Sequence, residues 1–81
     1  MDIKWSDKAE EVFKKIISNL PLFHRTIAQS LVKETAEKIA GERKSEFVEE
    51  KDLIEAFFRE VPPAFRGMME RLFKELGIKS S

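Results

Sequence analysis

The chain has 81 residues, 42% of them hydrophobic and 37% charged, a length that allows one core and not two. Fifteen Lys plus Arg balance fifteen Asp plus Glu, and each half is balanced too: seven basic against six acidic residues in 1–41, eight against nine in 42–81. These figures exclude a disordered charged tail and give no electrostatic footprint for nucleic acid or an anionic membrane, while the lack of cysteine excludes disulfides, thiolate nucleophiles and cysteine-ligated metal centres within the chain.

Between residues 6 and 20 the apolar positions Ala9, Val12, Phe13, Ile16, Ile17 and Leu20 follow the alternating three-and-four spacing of one helical stripe. Ser6 is placed to cap this first helix, with Asp7 and Glu10 in the turn where the dipole favours negative charge. A hydrophobic staple from Trp5 would need an apolar partner where Glu10 stands, so Trp5 is expected to lie against Ala9 or another helix. Pro21 ends the helix and suits the first turn of the next.

The second stripe, Phe23, Ile27, Leu31, Val32, Thr35, Ala36 and Ile39, widened by Ala28 and Ala40, predicts the longest helix, over residues 22–40. Gly41 is placed to terminate it in a left-handed conformation. A charged connector, 42–46, precedes Phe47-Val48, a pair suited to a brief extended segment. Leu53, Ile54, Ala56, Phe57 and Phe58 predict a third helix over 49–60, opened by Glu49, Glu50 and Asp52 and closed by Val61-Pro62-Pro63. Phe65, Met68, Met69, Leu72, Phe73 and Leu76 predict a fourth helix ending at Gly77, with 78–81 as a frayed tail. The expectation is an all-α fold: one compact four-helix domain with short connectors and a core spanning 4–77.

Five Glu-to-basic pairs four residues apart (Glu10–Lys14, Glu11–Lys15, Glu34–Lys38, Glu55–Arg59, Glu70–Lys74) mark solvated faces, each worth about 0.2–0.5 kcal/mol. Leu20-Pro21-Leu22-Phe23-His24-Arg25 and Pro62-Pro63-Ala64-Phe65-Arg66 echo one another. Two independent proline-initiated helices account for the echo more simply than a degenerate repeat.

Catalytic chemistry finds no constellation. His24, the only histidine, has no acidic residue nearby in sequence before Glu34, so a structural or solvent-exposed role is favoured over acid–base catalysis. Glu46, Glu49, Glu50 and Asp52 lack the alternate ligand spacing and central glycine of a calcium loop and read as helix capping. Gly41, Gly67 and Gly77 are isolated, and no serine has an elbow or triad context. No catalytic residue, cofactor or metal site is assigned.

No apolar run approaches bilayer length and residues 1–5 lack a signal-peptide core, so a cytoplasmic, non-membrane protein is expected. Four full stripes present more apolar area than one small core buries. The surplus predicts a surface for a protein partner or a second copy, centred on Phe65, Met69, Leu72 and Phe73, with burial of these side chains in the chain's own core as the equal alternative.

Trp5-Ser6, Ala9, Leu20-Pro21-Leu22-Phe23-His24-Arg25, Ala36, Ala40, then Val48-Glu49-Glu50-Lys51-Asp52-Leu53 and Ala56, resemble the small C-terminal helical domain of the light-independent protochlorophyllide reductase B subunit and the stand-alone proteins that share it. The resemblance covers about residues 4–58. It departs at Gln29, Ser30 and Leu31, where the family is more basic, and at Lys33, where it carries glutamate. It implies a non-catalytic accessory module associated with an oxidoreductase system, whose iron–sulfur clusters are held by cysteines of other domains. It also implies that Trp5, Pro21 and Phe23 are packing determinants and Arg25 a polar contact, for which a solvated or helix-capping side chain is the alternative. The long second helix, short connector, Val48 and acidic helix start further resemble the back half of a histone fold, which implies a dimer with a DNA-associated role. The acidic residues Glu46, Glu49 and Glu50 in the relevant loop argue against the DNA part.

Overall fold

Each of the four stripes becomes a helix. In the computed structural model, which describes residues 3–78, the chain runs β1 (Lys4–Trp5), α1 (Asp7–Ser18), α2 (Leu22–Glu42), β2 (Phe47–Val48), α3 (Glu50–Glu60), a 3₁₀ turn (Pro63–Phe65) and α4 (Arg66–Glu75). α2 is the central element: it packs most extensively on α3, while α1 and β2 also lie against it. The molecule measures 32 × 24 × 21 Å.

Local chemistry sets the boundaries. Ser6 Oγ accepts a hydrogen bond from the Ala9 amide at 3.1 Å and starts α1, whose Ala9, Val12 and Ile16 are buried on one face. Pro21 opens α2, its carbonyl accepting from the amides of His24 and Arg25 at 2.9 and 3.1 Å. At the second proline junction the echo is imperfect, because the chain first makes the 3₁₀ turn and only then α4. Of the five surface pairs, Glu11–Lys15 and Glu55–Arg59 close to 3.5 and 3.4 Å.

The end of α2 corrects the sequence expectation. Gly41 stays helical, α2 runs on to Glu42, and the left-handed residue is Lys44, with φ 60°. The Ser45 amide donates to Ala40 O and the Lys44 amide to Gly41 O, both at 2.9 Å, which is a Schellman closure built on a lysine. α4 closes the same way, with Gly77 (φ 73°) in the left-handed position and the Ile78 amide donating to Phe73 O at 2.8 Å. Ile78 therefore does not fray: it is 8% exposed and belongs to the core beside Phe73. Residues 79–81, the remainder of the expected tail, lie outside the described residues.

Phe47-Val48 is extended as expected, and its partner is the N-terminal pair. Lys4 and Trp5 align in parallel with Phe47 and Val48. The Ser6 amide donates to Val48 O at 3.0 Å. On β2, Ser45 Oγ donates to Phe47 O at 2.8 Å and accepts from Phe47 N at 3.2 Å, so a side chain satisfies the backbone of this residue.

The core gathers Val12 and Ile16 of α1, Val32, Ala36 and Ile39 of α2, Leu53 and Phe57 of α3, and Met69 and Phe73 of α4. An aromatic series threads it: Trp5–Phe13, Phe13–Phe57, Phe57–Phe73 and Phe73–Phe58 have centroids 5.2, 6.2, 6.1 and 5.5 Å apart. Each such contact adds about 0.5–1.5 kcal/mol beyond area burial. Trp5 packs on Phe13 of α1, and its indole N–H donates to Glu37 Oε2 of α2 at 2.9 Å, satisfying its polar end.

Candidate docking groove

α2 does not bury a single stripe. Its C-terminal half is sunk in the core through Val32, Ala36, Ile39 and Ala40, whereas Ile27 and Leu31, on a different face, are 59% and 44% exposed. A helix apolar on more than one side belongs in the interior, and this one is covered over only part of its surface.

Opposite the open face stands α4 with the preceding turn. Phe65 and Met68 are 50% and 55% exposed, and between the two walls lies a concavity of about 690 Å³. His24, Ile27, Ala28 and Leu31 line it from α2; Phe65, Met68, Met69 and Leu72 line it from the other side; Phe57, Val61 and Val32 contribute below. Both linings follow i, i+3, i+4, i+7 spacing; the first extends about 10 Å along the axis of α2, and the second joins Phe65 of the 3₁₀ turn to Met68, Met69 and Leu72 of α4. Glu60, Arg71 and Glu75 supply the charge. Pro21 and Pro62, the residues that break the chain into α1–α2 and α3–α4, also border the groove. A second concavity of mixed lining lies beside the strand pair, formed by Trp5, Ser6, Asp7, Ser45, Phe47 and Glu49.

The residues nominated from sequence divide. Phe65, Met69 and Leu72 line the groove, Met69 being 3% exposed and so part of its floor. Phe73 corrects the expectation: it is fully buried between Phe57 and Phe58 and is a core residue with no surface to offer a partner. Arg25 is turned onto its own chain. Its Nε donates to Leu20 O at 2.9 Å and its Nη2 to Ser18 O at 2.8 Å, so the guanidinium of α2 caps the carbonyls left open at the end of α1. This is the helix-capping alternative. Trp5 and Pro21 act in packing and in the α1–α2 bend; the side chain of Phe23 lies outside the described residues. Ile27, Leu31 and Met68 were legible only as members of stripes, since spacing alone does not say which side of a central helix is covered.

A second cluster joins α2 to α3. The Asp52 carboxylate, 1% exposed, accepts from Arg43 Nε and Nη2 at 2.8 and 2.6 Å and from the Glu49 amide at 2.9 Å, the last being the N3 half of a capping box. Arg43 Nη2 also reaches Glu49 Oε2 at 2.9 Å. Burial pushes the Asp52 carboxyl up, but the hydrogen bonds from Arg43 and the Glu49 amide, with the charges of Arg43 and Lys51, outweigh it and hold the group below the usual carboxylate range. The bond to Asp52 raises Arg43 well above its ordinary value, against the opposing effect of burial. The acidic helix start is thus structural.

Among the described residues, no group of three His, Asp or Glu side chains is placed to hold a metal ion, and no buried side-chain nitrogen or oxygen lacks a partner. The groove therefore offers shape and apolar surface with charges at its edge. Among the described residues, no helix is long and apolar enough to cross a membrane. No model of a known protein family, no curated protein and no solved structure matches the chain.

Proposed function

We propose that the chain is a non-catalytic docking module whose working surface is the groove between α2 and α4. The observation that carries this reading is the placement of Ile27, Leu31, Phe65 and Met68, each between 44% and 59% exposed, around one concavity. Scattered apolar side chains are ordinary on a surface, but a contiguous lined patch marks an interaction site. On the resemblance carried by Trp5, Pro21 and Arg25, the system served is an oxidoreductase, to which this chain contributes binding rather than turnover. In this chain the three residues act as an anchored indole, a helix start and a helix cap. A DNA-associated role, implied by the histone-like segment, has little electrostatic support: fifteen acidic residues offset fifteen basic ones.

Photo-crosslinking in cells tests the reading. A crosslinking side chain placed at Ile27 or Met68 is expected to trap covalent protein adducts, of this chain or another, and one at Lys8 on the exposed side of α1 is expected to trap none. Absence of adducts from both groove positions, or redox turnover by the purified chain without added protein, overturns it.

A further inference from the structure

The chain holds three methionines and no cysteine, so a thioether is the group on it that a peroxide oxidises most readily. Met1 lies outside the described residues. The other two are neighbours in sequence and opposites in setting. Met68 is 55% exposed in the wall of the groove, whereas Met69 is 3% exposed in its floor. Consecutive residues of a helix point about 100° apart, which is how one turn of α4 gives one sulfur to water and the other to the core. Oxidation follows access, so the fold itself selects between two chemically identical side chains.

The product differs from the reactant in polarity. A flexible apolar side chain becomes a polar one, carrying an oxygen that accepts hydrogen bonds. While the groove is open, water supplies the donor and the fold is undisturbed. Beneath an apolar partner that water is displaced, and the apolar lining that Met68 shares, Ile27, Leu31, Phe65 and Leu72, has no side-chain donor to replace it. The cost of the added oxygen therefore falls on the covered state alone.

We infer that Met68 is an oxidation site that governs the groove: a peroxide converts its thioether to the sulfoxide, and the oxidised groove releases an apolar partner. In this step a sulfur lone pair attacks one peroxide oxygen, the S–O bond forms as the O–O bond breaks, and the sulfur is oxidised by two electrons while hydrogen peroxide is reduced to water. Methionine sulfoxide reductases reverse the change, which makes it a switch. The inference rests on the docking reading above and names the regulation of that same surface.

Two measurements test it. In the first, the purified chain is exposed to hydrogen peroxide and peptide mapping by mass spectrometry follows the gain of one oxygen at each methionine. Met68 is expected to oxidise at least about tenfold faster than Met69, with the helical circular dichroism unchanged, and the two rates are expected to converge in urea. Equal rates in the folded chain overturn the inference. In the second, the crosslinking side chain at Ile27 reports docking in cells with and without a peroxide pulse, in the wild type, in Met68→Leu, which is apolar and resists oxidation, and in Met68→Gln, which is polar and resists it too. Peroxide is expected to reduce the wild-type adducts at least about tenfold and to spare those of Met68→Leu, while Met68→Gln gives few in either condition. Adducts of Met68→Gln that match the untreated wild type overturn the inference and leave the docking reading standing, as does a peroxide loss that Met68→Leu shares. A wild type without adducts before any peroxide overturns both.

Discussion

Glycine and lysine sit at each other's best positions at the end of α2. Gly41 occupies a helical site where an added Cβ would meet Ile3 Cδ1 at 3.7 Å, an ordinary contact, while Lys44 holds φ 60°. Gly41→Ala is expected to stabilise the fold by about 0.5–1 kcal/mol through helix propensity and a less flexible unfolded chain. Lys44→Gly is expected to contribute a further ~1 kcal/mol by relieving the left-handed conformation. Urea unfolding of the single and double variants checks both; a loss in Lys44→Gly would mean that the lysine side chain is itself anchored. The residue scale also shows why sequence misplaced this boundary. Glycine is the default left-handed residue, and nothing in Lys44 announces that hydrogen bonds to Ala40 and Gly41 will hold it there. Arg25 follows the same logic: its position beside Pro21 was visible, but its acceptors are carbonyls of the preceding helix, fixed only once the bend exists.

Between elements, the junction of α2 and α3 depends on a carboxylate that must be charged. Asp52 has a folded-state pKa below its ordinary value of 3.8, so its contribution is full above that value and disappears as the pH falls through the folded value. Asp52→Asn keeps the size and removes the charge. It is expected to lower the melting temperature by a constant amount between about pH 5 and 7, with the difference from wild type shrinking below about pH 4. Melting curves across that range decide it, and a difference independent of pH would show that the charge of Asp52 is immaterial. The four helices themselves were legible because their apolar positions recur at helical spacing, over ten residues or more in all but the third, and so was the extended Phe47-Val48. The pairing of that segment with Lys4-Trp5 was not, since two-residue strands carry no period and their partners lie more than forty residues apart.

At the scale of the molecule the apolar residues serve two separate ends. One set is enclosed around the aromatic series from Trp5 to Phe73, and the other lines an open groove that shares its floor, Phe57 and Met69, with that core. The α4 wall of the groove was foreshadowed in sequence, because the four stripes together exceeded one core and the surplus was assigned to helix 4; the α2 wall was hidden inside a stripe that looked wholly interior. The division makes stability and docking separable. Phe73→Ala removes a fully buried ring and is expected to cost about 3–5 kcal/mol, a large fraction of the roughly 4–12 kcal/mol available to a domain of this size. Ile27→Gln and Met68→Gln alter side chains already more than half in water and are expected to change stability by no more than about 0.5 kcal/mol, measured by urea unfolding at a concentration low enough to keep the chain dissociated. Under those conditions a loss above about 2 kcal/mol in either groove variant would place its side chain among the groups that hold the monomer together, and the groove would then be an incompletely closed core instead of a surface kept open for a partner.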